Sequence, residues 1–121
     1  MTVKSYEDLK VWQKSMNLIA EIYRLVRLLP KYETYALSDQ MRRSVISIAS
    51  NIAEGQGRDS INEFIHFLSI ARGSCYELET QIRACVVVGH LTKVDIEKAS
   101  SLSKEVGKMP NALIKKLKTF N

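Results

Sequence analysis

Residues 60–85 read SINEFIHFLSIARGSCYELETQIRAC, and within them Ile61, Phe64, Leu68, Ala71, Cys75, Leu78, Ile82 and Cys85 recur at alternating steps of three and four. An α-helix turns about 100° per residue, so this spacing stacks those side chains on one stripe over about seven turns. Ser60 with Glu63 three residues later forms a capping box at the start, and Gly89 provides a stop. A half-buried strand would alternate every second residue, and this stretch does not.

The same period extends outward. Upstream, Leu37, Met41, Val45, Ile48 and Ile52 share a face, Ile46, Ala49 and Ala53 adjoin it, and Gly55 and Gly57 are natural stops. Lys31 to Ala36 reads as a connection. Before it, Leu9, Trp12, Met16, Ile19, Tyr23 and Val26 make a stripe that predicts the core face of a first helix, capped by Ser5 with Asp8 and ended by Pro30. A second stripe, Val11, Leu18, Ile22, Leu25 and Leu29, lies beside the first; its excess apolar width suits a contact between subunits. Downstream, Thr92 with Asp95 starts a fourth helix whose apolar face is Ala99, Leu102, Val106, Met109, Leu113 and Leu117. Gly107 and Pro110 interrupt it, which predicts a bend or break near Val106. Four amphipathic helices joined by short connections predict an all-α, antiparallel up-and-down four-helix bundle.

The chain has 121 residues, 45% hydrophobic and 26% charged, which suits one domain over 1–121 with one core. Five Gly and two Pro leave little material for linkers. With no apolar h-region at the start and no apolar run of about 18 residues, the expected location is cytoplasmic, without membrane contact. Cys75 and Cys85 are ten residues apart on one helix, about 15 Å, too far for a disulfide. They read as small buried hydrophobes. Only His66 and His90 could join them, and no ligand spacing gathers them around a metal, so neither metal nor cofactor is expected.

Several motifs occur together in order: Tyr6 to Lys14 at the front; Tyr35-Ala36-Leu37 then Gln40 to Ser44; Ser50 to Gly55; Glu63-Phe64 with Phe67-Leu68; Ala71 to Ser74; and Glu77 to Gln81. In these the chain resembles the four-helix-bundle proteins first found encoded in ribosomal-RNA intervening sequences, over nearly its whole length. Alanine at 49, where the family often has proline, and His90, where it often has tyrosine, are departures that leave the fold intact. The family's activity is undetermined. Similar accessory proteins of diversity-generating retroelements form a five-fold barrel associated with nucleic acid and a reverse transcriptase. The resemblance therefore implies self-association, with a homopentamer favoured, and binding of RNA or DNA.

Charge distribution bears on the second expectation. Residues 1–91 carry eleven Lys/Arg against ten Asp/Glu, whereas 92–121 carry seven against three, so most of the net charge of +5 lies in the last helix. Lys93, Lys98, Lys104, Lys108, Lys115, Lys116 and Lys118 are candidate phosphate contacts; the alternative is a solvated face. Phe120 is the only ring there, which does not suggest base stacking. Arg42, Arg43, Arg58 and Arg72 form a second basic set, Arg58 lying just before a helix N-terminus that favours anions. Their alternative is ion pairing, with Asn51, Glu54, Arg72 and Glu77 locking the second helix to the third.

Two enzyme readings are weaker. Arg83 and His90 resemble the Arg-x4–6-His pair of helical-bundle ribonucleases, but Ala84 follows the arginine where that family prefers a polar residue. Glu63 and His66 supply one Glu-x-x-His of a di-iron site, and the second copy is missing. No catalytic residue is assigned. The sequence reads as a non-enzymatic oligomeric bundle whose ligand is nucleic acid or a nucleic-acid-processing partner; the alternative is an adaptor that binds only protein.

Overall fold

A computed structural model describes residues 5–120. Four helices carry the chain: α1 (Lys10–Val26), α2 (Leu37–Gln56), α3 (Ile61–Val87) and α4 (Lys93–Lys118), with single 3-10 turns at Tyr6–Asp8 and Lys31–Glu33. Each helix packs on its neighbours in sequence, and α4 closes the ring against α1. Contacts between α2 and α3 join Met41 to Cys85, Ser47 to Ser74 and Gly55 to Phe67, so residue numbers rise on one helix as they fall on the other. Arg72 with Asn111 and Lys14 with Glu105 show the same opposition for α3–α4 and α1–α4. The bundle is antiparallel and up-and-down. Among the described residues, no helix is long and apolar enough to cross a membrane.

Of the α3 stripe, Leu68, Ala71, Cys75, Leu78, Ile82 and Cys85 are buried, each large aliphatic group contributing roughly 1.5–3 kcal/mol, while Ile61 and Phe64 at its start are half-buried. Burial pushes the thiols up, Cys75 to about 12 and Cys85 to about 11. Gly89 ends this segment with φ 84°, a conformation natural to glycine. Thr92 and Asp95 form both halves of a capping box, and the Thr92 bonds hold the Asp95 carboxyl below its ordinary range. Ser60 accepts from the Glu63 N–H, so the α3 cap forms its first half.

Four expectations are corrected. On α1 the two stripes exchange roles: Val11, Leu18, Ile22, Leu25 and Leu29 are the core, whereas Leu9, Trp12, Ile19 and Val26 are half-buried and Met16 and Tyr23 exposed. Both stripes satisfy the helical period; the all-aliphatic one fills the interior without burying aromatic polar atoms that need partners. Ser5 caps the 3-10 turn by accepting from the Glu7 N–H, and α1 starts later, at Lys10. Helix α2 runs through Gly55 and ends at Gln56 with Gly57 as its C-cap, so only the second glycine is a stop, and neither has a positive φ. Gly55 instead permits close packing, since an added Cβ would sit 2.7 Å from Phe67 Cβ. Finally, α4 is unbroken through Pro110. Its buried seam is Ala99, Ser103, Val106, Gly107, Pro110 and Ile114, while Leu102, Met109, Leu113 and Leu117 flank it. Small residues occupy the seam because α3 comes close, a Cβ on Gly107 lying 3.7 Å from Cys75 Cβ.

Candidate nucleic-acid interface

The buried seam of α4 fixes where its lysines point. At about 100° per residue, Lys93, Lys104, Lys108, Lys115 and Lys118 fall within one outer stripe together with Asn111, about a third of a turn from the seam. All five lysines are exposed, and none forms an ion pair among the described residues. The stripe spans about 37 Å at 1.5 Å per residue. Glu97 is the acid within it. Lys98 and Lys116 fall on the opposite edge, beside α1. There Lys116 borders an apolar hollow of ≈ 290 Å³ lined also by Leu9, Lys10, Val11, Met109, Ala112 and Leu113. Glu105 on the same edge pairs with Lys14 at 2.8 Å. Lys116 is thereby separated from the candidate set in which the sequence placed it.

Arg72 joins the stripe from α3. Its Nη1 donates to Asn111 Oδ1 at 2.6 Å, a neutral partner that leaves the guanidinium charge uncompensated. Glu79, two turns farther along α3, approaches the same seam, lying 3.6 Å from a Cβ built on Gly107. The α3–α4 edge thus combines a line of ammonium groups with one planar guanidinium, groups suited to phosphate oxygens.

The remaining arginines lie elsewhere. Arg42 Nη2 donates to the Thr34 carbonyl at 3.1 Å, Arg43 pairs with Asp39 at 2.9 Å, and Arg58 pairs with Glu54 at 3.4 Å while stacking 4.9 Å over the Phe67 ring. All three are engaged within or beside α2, diagonally across the ring from α4. Asn51, Glu54, Arg72 and Glu77 do not form the single lock read from sequence. Asn51 donates to the Ser47 carbonyl at 2.8 Å, and Ser47 Oγ meets Ser74 Oγ at 2.9 Å, so two serines carry the polar tie from α2 to α3. Glu54 is satisfied by its i+4 arginine, Arg72 turns to α4, and Glu77 borders a shallow hollow with Gln40, Gly73 and Thr80.

Among the described residues, no hydrogen bond or ion pair joins Arg83 to His90 or Glu63 to His66. His90 Nε2 meets Glu33 Oε2 at 2.7 Å and is 11% exposed, whereas Arg83 lies on the exposed side of α3. Glu63 and His66 are both exposed. Among the described residues, no group of three His, Cys, Asp or Glu side chains could hold a metal ion. Neither Asn111 as the partner of Arg72 nor Glu33 as the partner of His90 is legible in the sequence, because both contacts join residues far apart in the chain.

The model of the 23S rRNA-intervening sequence protein family matches residues 7–112. Among solved structures, a protein of unknown function from the S23 ribosomal protein family of Bacteroides thetaiotaomicron is similar at 28% identity. It covers 87% of this chain and 98% of its own, with a TM-score of 0.80. No curated protein matches this chain.

Proposed function

Because this chain belongs to the 23S rRNA-intervening sequence protein family, we propose that it acts in the cytoplasm as a non-enzymatic, self-associating bundle that binds RNA or DNA through the outer stripe of α4. The stripe itself carries this reading: five exposed, unpaired lysines lie in register, with Arg72 held among them by a neutral partner. Phosphates recognised this way give affinity without sequence preference, and the affinity falls steeply with salt. The rRNA-related name of the family and the ribosomal name of the similar structure are consistent with an RNA ligand.

Gel shifts with a structured RNA and a duplex DNA across a salt series test the proposal. A shift at low salt that fades as salt rises supports it; no shift with either ligand at low salt overturns it and leaves the adaptor reading.

Self-association is assigned to the outer stripe of α1, where Met16 and Tyr23 are exposed and Trp12 and Ile19 half-buried. The family resemblance favours a pentamer. Light scattering should report an oligomer, with Met16→Asp/Tyr23→Asp shifting it toward monomer. A monomeric wild-type protein at micromolar concentration would defeat this part.

A further inference from the structure

Tyr35, Val87, Val94 and Tyr32 are the most exposed large apolar side chains among the described residues, at 94%, 85%, 78% and 76%. All four lie at the end of the bundle formed by the α1–α2 and α3–α4 connections. Leu28 and Val88, each more than half exposed, belong to the same end. The Tyr32 ring packs edge-on against His90 at 5.6 Å, and His90 meets Glu33 at 2.7 Å, so the two connections are fastened together at this end. A single exposed apolar residue is ordinary, but the most exposed ones gathered at one end are the mark of an interaction site.

The unpaired charges nearest the two connections are basic. Arg27, Lys31, Arg83 and Lys93 are exposed and form no ion pair among the described residues. The neighbouring acids are occupied internally: Glu33 by His90 and the Leu37 N–H, Asp95 by the Thr92 cap, and Glu21 by Arg24. Glu97, one turn farther along α4, is the first exposed acid on that helix and shares a hollow with Val94 and Lys98. The exposed apolar side chains of this end are therefore accompanied by unpaired cations.

Leu28, Val87, Val88 and Val94 are aliphatic. Bases stack on aromatic planes, whereas aliphatic groups are covered by the apolar side chains of another protein. We propose that this end docks an acidic amphipathic segment of a protein partner. Its apolar side chains cover Val87, Val94 and Tyr35, and its carboxylates lie among Arg27, Lys31, Arg83 and Lys93. This surface shares Lys93 with the outer stripe of α4, but its apolar side chains take no part in the nucleic-acid reading, so the valine substitutions test it independently.

The test is fluorescence anisotropy with a labelled amphipathic peptide of leucine and glutamate, compared with the same peptide carrying lysine for glutamate and with a uridine oligonucleotide. The acidic peptide should bind preferentially, and Val87→Ser/Val94→Ser should weaken it about tenfold or more. Lys31→Glu/Lys93→Glu should reverse the preference between the two peptides. These side chains are exposed, so the variants should melt like the wild type; if the valine pair does not, Tyr35→Ser carries the same test. The proposal is overturned if the acidic peptide does not bind, if both peptides bind equally, or if the substitutions leave its binding unchanged. It is also overturned if the valine variant instead loses oligonucleotide binding, or if light scattering shows that variant dissociating, which would make a second copy the occupant.

Discussion

Arg72 on α3 and Asn111 on α4 meet through a single 2.6 Å hydrogen bond that positions a guanidinium among lysines without neutralising it. Arg72→Ala should therefore weaken nucleic-acid binding and flatten its dependence on log salt by about one unit, as expected for one lost phosphate contact. Stability should move by only about 0.5 kcal/mol, because the bond is exposed. Asn111→Ala, which keeps the charge, should cost less affinity than Arg72→Ala; a salt titration of both variants checks the order.

The two edges of α4 should behave differently. Lys115→Glu/Lys118→Glu alters the outer stripe and should reduce affinity at least about tenfold at low salt, with the salt slope falling by about two. Lys116→Glu, one residue away but on the α1 edge, should change binding much less. Equal losses from the two variants, measured by anisotropy with the same duplex, would remove the stripe as the interface.

Two glycines in helices should respond oppositely to alanine. At Gly55 a Cβ would lie 2.7 Å from Phe67 Cβ and 3.0 Å from a Phe64 ring carbon, so Gly55→Ala should destabilise by about 1–3 kcal/mol despite better helix propensity. At Gly73 nothing lies within 4 Å of that position. There the same substitution should stabilise by about 0.5–1 kcal/mol. Urea unfolding midpoints of the pair decide the matter.

Glu21 is buried on α1, and hydrogen bonds from Arg24 hold its carboxyl below the ordinary value of 4.5, aided by the Arg24 and Lys98 charges and opposed by burial. A lowered folded value means the unfolded chain takes up this proton first on acidification. The stabilisation is thus complete above about pH 4.5 and disappears as pH falls through the folded value. Glu21→Gln should cost about 1 kcal/mol or less at neutral pH, since Arg24 is half exposed. The gap between variant and wild type should close in acid, as thermal melts across pH will show.

Much of the fold was legible because α3 offers one unambiguous stripe, from Leu68 to Cys85, and Thr92 with Asp95 marks a helix start in purely local chemistry. Helix α1 was ambiguous for a physical reason: two adjacent stripes both fit a 3.6-residue period, and only docking against α2 and α4 selects Leu18 and Ile22 over Met16 and Tyr23. In α4, Gly107 and Pro110 read as interruptions, yet with Ser103 they line the buried seam, and their small or compact shapes let α3 approach. The candidate interface was half visible. Its lysines follow from spacing, but the separation of Lys116 from Lys115 depends on the phase of the buried seam, and Asn111 reaches Arg72 across 39 positions.

The ring of four helices also sets an order of events. Three of its seams join consecutive helices, and their closure costs little chain entropy; the seam between α1 and α4, fastened by Lys14 and Glu105, must order nearly everything between them. Helix α1 is moreover tethered by residues 27–36, a longer leash than the 57–60 turn that binds α2 to α3. The molecule should thus breathe at one place: α1 swings out while the other three helices stay docked. Amide exchange would register that motion as loss of protection along α1 ahead of the centre of α3.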